Sequence, residues 1–216
     1  MRATLAPPAG TGFATALRGE APGGHWLVHG DGHRARLPVA RWHGEIEPAA
    51  AAVVARCTGP TIDLGCGPGR ITRALGRAGI SALGIDACAE AVAATRSRGA
   101  VAIHQDLFDP LPAEGRWAHA VLLDGNIGIG GDPVALLRRC RSLLAPAGTV
   151  LVELDGPGAG CWRGHARVAG PRRLGPVFPW ARLGIDEAAR VAARAGFAVR
   201  AVVEHTGRWF AELGQP

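Results

Sequence analysis

Four carboxylates, Asp63, Asp86, Asp106 and Asp124, each follow a short apolar run in the middle of the chain. The first introduces Asp63-Leu64-Gly65-Cys66-Gly67-Pro68-Gly69-Arg70, a glycine-rich turn between a strand-like and a helix-like segment. Glycine suits such a turn because it adopts left-handed dihedrals freely and lets a ligand approach the backbone. The helix beyond it offers unpaired N–H groups and a positive dipole end. A dinucleotide fingerprint would carry its third glycine one position later, where Arg70 stands. An acid beside the turn would also repel a pyrophosphate, whereas it suits a ligand bearing an ammonium group. Asp86 closes the next strand, where a carboxylate accepts the two hydroxyls of a ribose and can also cap the helix that follows. Asp106-Leu107 reaches the position of an adenine amino group, and Asp124 ends the fourth strand.

Placing four acids along one edge requires parallel strands joined by helices. Strands are expected at 60–64, 81–86, 100–104, 118–123 and 149–154, alternating with helices at 70–78, 87–97 and 133–144. This alternation predicts an α/β fold, doubly wound, with its ligand site at the carboxyl ends of the strands. A helix at 185–195, closed by Gly196, leads to strands at 197–205 and 208–213 joined by Thr206-Gly207. That spacing predicts a hairpin and a reversed strand near one edge of the sheet. Strands at 25–28 and 33–37 around Gly30-Asp31-Gly32 predict a small hairpin before the core. The expected organisation is an N-terminal hairpin and cap segment at 1–48 and a single domain at 49–216.

On these residues the chain resembles the class I S-adenosylmethionine-dependent methyltransferases, of the small-molecule type common in actinobacteria. Asp63 to Gly69 matches the family's acid-x-Gly-x-Gly-x-Gly signature, and Asp86 matches its ribose-binding acid. Asp106-Leu107 falls at the adenine-contacting position, with Asp124-Gly125-Asn126-Ile127 at the strand-four segment beneath the methionine moiety. The resemblance implies a Rossmann-like seven-stranded sheet, mostly parallel, whose last strand (208–213) is antiparallel. It implies S-adenosyl-L-methionine as cofactor and S-adenosyl-L-homocysteine as product. Backbone and side-chain contacts are then expected from Asp63, Gly65, Cys66, Gly67, Gly69, Asp86, Ala87, Asp106, Leu107, Asp124, Gly125 and Asn126. Arg41 and Arg70 are candidate partners of the methionine carboxylate.

Methyl transfer needs chiefly that the acceptor atom be held behind the methyl group, so the spacing names no catalytic residue outright. Asp124-Gly125-Asn126-Ile127-Gly128 lacks the Asn/Asp-Pro-Pro-aromatic sequence found in some families that methylate exocyclic amines or amides. That argues against base or glutamine methylation. Asn126 remains a candidate for gripping cofactor or substrate, or a turn former. His165, in the segment after the fifth strand, is a candidate base, against a plainer reading as an exposed histidine; His205 reads as structural. Trp42, Phe178, Trp180 and Trp162 either line an apolar substrate site or belong to the core. His25, His29, His33 and His43 cluster near the first hairpin with no metal-ligand spacing, and no metal is expected.

The 216 residues carry 48% hydrophobic and 19% charged side chains, enough apolar material for one packed domain and too little charge for a disordered tail. The formal charge is +6, yet every basic residue other than histidine is Arg and these are scattered along the chain. Such a bias fits a G+C-rich coding sequence better than a nucleic-acid surface. The five cysteines are odd in number and lack CxxC spacing, as expected of reduced thiols. No secretory signal is read at the N-terminus, and a cytoplasmic location is expected. The reading is an enzyme that methylates a small molecule, with an RNA-modifying methyltransferase or a cofactor-binding protein of another role as alternatives. The acceptor, its methylated atom and the oligomeric state are not written in the sequence.

Overall fold

The computed structural model describes residues 9–18, 24–171 and 173–216. In chain order its strands are β1 (Trp26–His29), β2 (Arg34–Arg36), β3 (Thr61–Leu64), β4 (Ala82–Asp86), β5 (Ala102–His104), β6 (Trp117–Leu122), β7 (Leu144–Leu154), β8 (Cys161–Ala169), β9 (Phe178–Leu183), β10 (Ala198–His205) and β11 (Arg208–Gly214). The α-helices are α1 (Ala9–Leu17), α2 (Val39–His43), α3 (Pro48–Val54), α4 (Arg70–Arg77), α5 (Ala89–Ser97), α6 (Pro133–Leu143) and α7 (Ala188–Ala195).

Seven strands form the larger sheet in the order β10-β11-β7-β6-β3-β4-β5. The strands from β5 to β7 run parallel, and β11 is antiparallel to both its neighbours. Every residue of β3 is buried, as a central strand covered on both faces requires. One face packs on α6 and α7 through Leu136, Leu137, Leu143, Val191 and Ala195, and the other on α3 and α4 through Val53, Val54, Ile71 and Leu75. The expected seven-stranded, doubly wound sheet with its reversed C-terminal strand is therefore present. Thr206 and Gly207 both adopt positive φ, the twist that a two-residue hairpin demands.

Several boundaries move for identifiable reasons. Helix α5 starts at Ala89 rather than 87 because Asp86 accepts the Cys88 N–H and delays entry into the helix. The segment expected as one helix over 185–195 begins as a 3-10 turn, Ile185–Glu187, before α7. Strand β7 begins at Leu144, directly out of α6, instead of at 149.

The second sheet was not expected as a sheet. Its order is β2-β1-β8-β9, all antiparallel, so the early hairpin is paired with strands from 161–183. A boundary at residue 48 thus runs between paired strands of one sheet. Alternate residues Leu27, Ala166, Val168, Phe178 and Trp180 face inward onto α1 and α2 and onto Cys88 and Ala91 beside and within α5, forming a separate apolar core. The small sheet is thereby fixed over the carboxyl edge of the larger one.

Candidate ligand-binding and active site

A cavity of about 490 Å³ opens between the glycine loop and the inner face of the small sheet. That is within the ~300–1,000 Å³ of small-molecule sites. Gly65, Cys66, Gly67, Asp86, Ala87, Asp106, Leu107, Asp124, Gly125, Asn126, Arg41 and Arg70 all border it, as does Asp63.

The glycine loop is built rigidly. The Gly65 and Cys66 N–H groups both donate to the Ile85 carbonyl, and Gly69 N–H to Cys66 O. Gly65 has φ +75°, and a Cβ there would stand 2.5 Å from the Asn126 amide nitrogen. Gly69 has φ +83°, and its Cβ would meet Thr95 at 2.6 Å. Gly69 does not border the cavity; contrary to expectation, it serves the approach of α4 to α5 rather than a ligand. Gly67 and Gly125 also have positive φ, but a Cβ at either would meet nothing within 4 Å. Both border the cavity, so bare backbone lines an open cradle there.

Asp86 is fixed from two sides. One oxygen accepts the Gly67 N–H at 2.9 Å and the other the Cys88 N–H at 2.8 Å. Burial pushes its carboxyl above the ordinary value, against the pull of these two N–H groups. Asp63 is raised to about 6, chiefly by burial, and its Oδ2 accepts the Thr72 hydroxyl at 2.7 Å. One of its oxygens is thus committed to bracing β3 against α4. Cys66 is buried, with its thiol pushed well above the ordinary value, and supplies no thiolate. At the far end Asp106 Oδ1 accepts the Phe108 N–H at 2.9 Å, and the Leu107 carbonyl is anchored by Arg139 at 2.7 Å.

Asp124 occupies a left-handed backbone conformation, φ +57°, a strained state that surrounding bonds must enforce. Its N–H donates to Glu153 at 2.6 Å. Its carboxylate receives Arg41 at 2.9 Å, Arg70 at 2.7 Å and Arg208 at 3.2 Å. Arg70 and Arg208 also bond Glu47, and Arg208 bonds Glu153. Burial opposes the Arg208 charge, but Glu153, Asp124 and Glu47 outweigh it and hold the guanidinium cationic. Arg41 and Arg70, read as candidate partners of a ligand carboxylate, both pair with Asp124 and border the cavity. Glu47, Glu153 and Arg208 were missed in the sequence because they come together only in the fold.

The candidate bases fare differently. Inward positions on β8 are Trp162, Gly164, Ala166 and Val168, so His165 falls on the exposed face and outside the cavity. Asn126 borders the cavity, yet its amide donates to Leu64 O and Gly65 O at 2.9 and 2.8 Å, tying the strand-four segment to the glycine loop. His205 lies at the end of β10, away from the cavity. Trp42 and Trp180 border the cavity while also joining the second core, whereas Phe178 is fully buried and Trp162 stands behind the lining. Phe13 and Phe108 are lining aromatics that sequence alone did not single out. Among the described residues no three His, Cys, Asp or Glu side chains stand together as metal ligands.

Residues 62–148 match the family described as "Methyltransferase domain", a span that holds the glycine loop and all four acids. No curated protein matches the chain. Among solved structures, a SAM-dependent methyltransferase from Bacteroides fragilis in complex with S-adenosyl-L-homocysteine is similar over 97% of each chain, at 19% identity and TM-score 0.77. A glycopeptide N-methyltransferase complexed with S-adenosyl-L-methionine is 18% identical, with TM-score 0.59, over 78% of this chain and 93% of its own. An O-methyltransferase from neocarzinostatin biosynthesis, in complex with S-adenosyl-L-homocysteine and 1,4-dihydroxy-2-naphthoic acid, is 25% identical with TM-score 0.55, covering 77% of this chain and 53% of its own.

Proposed function

We propose that the chain is a class I methyltransferase that uses S-adenosylmethionine and passes the methyl group in line to a small-molecule acceptor held between the two sheets. When bound, the cofactor supplies an electrophilic methyl group on a sulfonium centre. The observation that carries the reading is the cradle itself. The bare backbone of Gly67 and Gly125 faces open space, and Gly67 stands beside Asp86, whose carboxylate is held in place by two N–H groups. Each carboxylate oxygen retains a second acceptor site, which suits Asp86 to a ribose diol.

The remaining assignments follow from charge and position. Gly65, Cys66 and Gly67 present backbone to the nucleoside, and Ala87, Asp106 and Leu107 border its adenine end. Asp124, flanked by Arg41 and Arg70, is the complement of an α-amino-acid zwitterion: an acid for the ammonium and guanidinia for the carboxylate. Asn126 positions rather than reacts, since it ties two loops of the site together. The acceptor lies against the apolar side of the cavity, where Phe13, Trp42 and Trp180 exclude water. Fixing the acceptor atom in line in such a wall supplies on the order of 7–11 kcal/mol of the barrier. We assign the protein to the cytoplasm, with a soluble metabolite as acceptor; among the described residues no helix is long and apolar enough to cross a membrane.

Incubation with methyl-labelled cofactor and separate pools of hydroxylated aromatics, amines and RNA tests this reading. Label is expected in a small molecule. Label in RNA alone, or in nothing while the cofactor binds, contradicts it.

A further inference from the structure

Asp124 stands just past the point where the neighbouring strands can hold it. The pairing of β6 with β7 ends at Leu122 and Val152, and that of β6 with β3 at Val121 and Asp63. Beyond these pairs, residues 123–127 and 153–155 border the cavity. Asp124 and Gly125 both take left-handed backbone there, φ +57° and +84°. At Asp124, which carries a Cβ, that conformation persists only where other contacts enforce it.

A side chain takes the place of the missing strand partner. Glu153 Oε2 accepts the Asp124 N–H at 2.6 Å. Glu153 is held in turn by Arg208, whose Nε donates to Oε1 at 2.7 Å and whose Nη2 donates to Oε2 at 2.6 Å, a two-pronged pairing that fixes direction as well as charge. Arg208 also bonds Glu47 and reaches Asp124 Oδ1 at 3.2 Å. It is the first residue of β11, where Phe210 pairs with Glu153, so positions 208, 210 and 153 share one face of the sheet. The Phe210 ring centre lies 5.2 Å from the guanidinium and backs it. Glu153 borders the cavity, but its two oxygens already take three N–H groups. Arg208, like every residue of β11, lies outside the lining.

We propose that Glu153, clamped by Arg208, is a positioning residue for the cofactor: it holds the Asp124 backbone in its left-handed turn and so aims the Asp124 carboxylate at the cofactor's amino-acid end. The inference rests on the reading of Asp124 as the acid that meets the cofactor's ammonium group. It makes the reversed strand β11 part of the site's machinery without touching the ligand. What position 153 must supply is an oxygen for the Asp124 N–H.

Calorimetric titration with two ligands separates this role from a general effect on the fold. One is S-adenosyl-L-homocysteine; the other is 5′-methylthioadenosine, which keeps the nucleoside and the sulfur but lacks the amino acid. Wild type is expected to prefer S-adenosyl-L-homocysteine by at least tenfold. Glu153→Leu should weaken S-adenosyl-L-homocysteine at least tenfold while 5′-methylthioadenosine stays within twofold of wild type. Glu153→Gln keeps an oxygen in place and should stay within threefold for both. Arg208→Lys keeps the charge but not the fork; it should weaken S-adenosyl-L-homocysteine alone, by at least threefold, and decides the matter if Glu153→Leu does not fold. Equal loss of both ligands in a folded variant, undiminished S-adenosyl-L-homocysteine affinity in Glu153→Leu or Arg208→Lys, or Glu153→Gln as weak as Glu153→Leu overturns the proposal. Wild-type protein that binds neither ligand, or both alike, would instead overturn the reading beneath it, so the two failures are distinct.

Discussion

Two buried titratable groups at the edges of the cavity give stability opposite pH dependences. His29 falls from 6.5 to about 4 on folding, chiefly through burial. Between those values the unfolded chain binds the extra proton, so stability is lost as pH drops from 6.5 towards 4. Asp63 rises from 3.8 to about 6, again through burial, with Thr72 and Arg70 opposing and Asp86 adding to the rise. Between 3.8 and 6 the folded chain holds a proton that the unfolded one has released, so this group costs stability as pH rises through that window. Each effect is at most about 1.4 kcal/mol per pH unit, and in wild type they offset one another between about 4 and 6. Urea unfolding across that range separates them. His29→Phe should gain on wild type as pH falls from 6.5, and Asp63→Asn should gain as pH rises from 4; parallel curves for all three proteins would contradict the assignments. Asp124 makes a third case. Its removal leaves Arg41, Arg70 and Arg208 facing one another, so Asp124→Asn should cost roughly 1–3 kcal/mol, the penalty of an unmet buried polar group, measurable in the same experiment.

At the level of elements, the meeting of α4 and α5 is set by one missing side chain. Gly69→Ala forces a left-handed alanine and drives its Cβ into Thr95 at 2.6 Å. The expected cost is about 2 kcal/mol, or a fall in Tm of about 4–8 °C for a chain of this size. An unchanged Tm in calorimetry would contradict this packing role. The parallel core was legible because β3, β4 and β6 are short apolar runs punctuated by glycine and aspartate, and local pattern suffices to read such strands. The small sheet was not legible as a sheet. Its four strands come from 26–36 and 161–183, and pairing between such distant segments leaves no local trace. Strand β8 did carry a signal in the alternation of Trp162, Gly164, Ala166 and Val168 with Arg163, His165 and Arg167. Read with period two, that alternation places His165 outward. The cluster of Glu47, Glu153 and Arg208 around Asp124 was hidden for the same reason: its members meet through a helix cap, a strand end and the C-terminal hairpin. Asp86 and the glycine loop, by contrast, belong to one local β3-α4-β4 unit, and the expected residues there border the cavity, Gly69 excepted.

Across the described residues, much of the positive charge is paired. Arg56 pairs with Glu212, Arg73 and Arg77 with Glu45, Arg139 with Glu114, Arg163 with Asp132 and Arg190 with Glu187. Each such exposed pair contributes little to stability, but each sets a carboxylate beside one of the arginines. Fluorescence anisotropy with a labelled single-stranded RNA should give no affinity tighter than the non-specific range, about 10⁻⁴ to 10⁻⁶ M at physiological salt. Nanomolar binding would instead point to an RNA acceptor. The account as a whole depends on the cradle beside the glycine loop, and calorimetric titration with S-adenosyl-L-homocysteine tests it most directly. Wild-type protein is expected to bind, and folded Asp86→Ala to bind at least about tenfold more weakly, a loss of roughly 1.4 kcal/mol. No binding heat from wild type, or equal affinity in the variant, would contradict it.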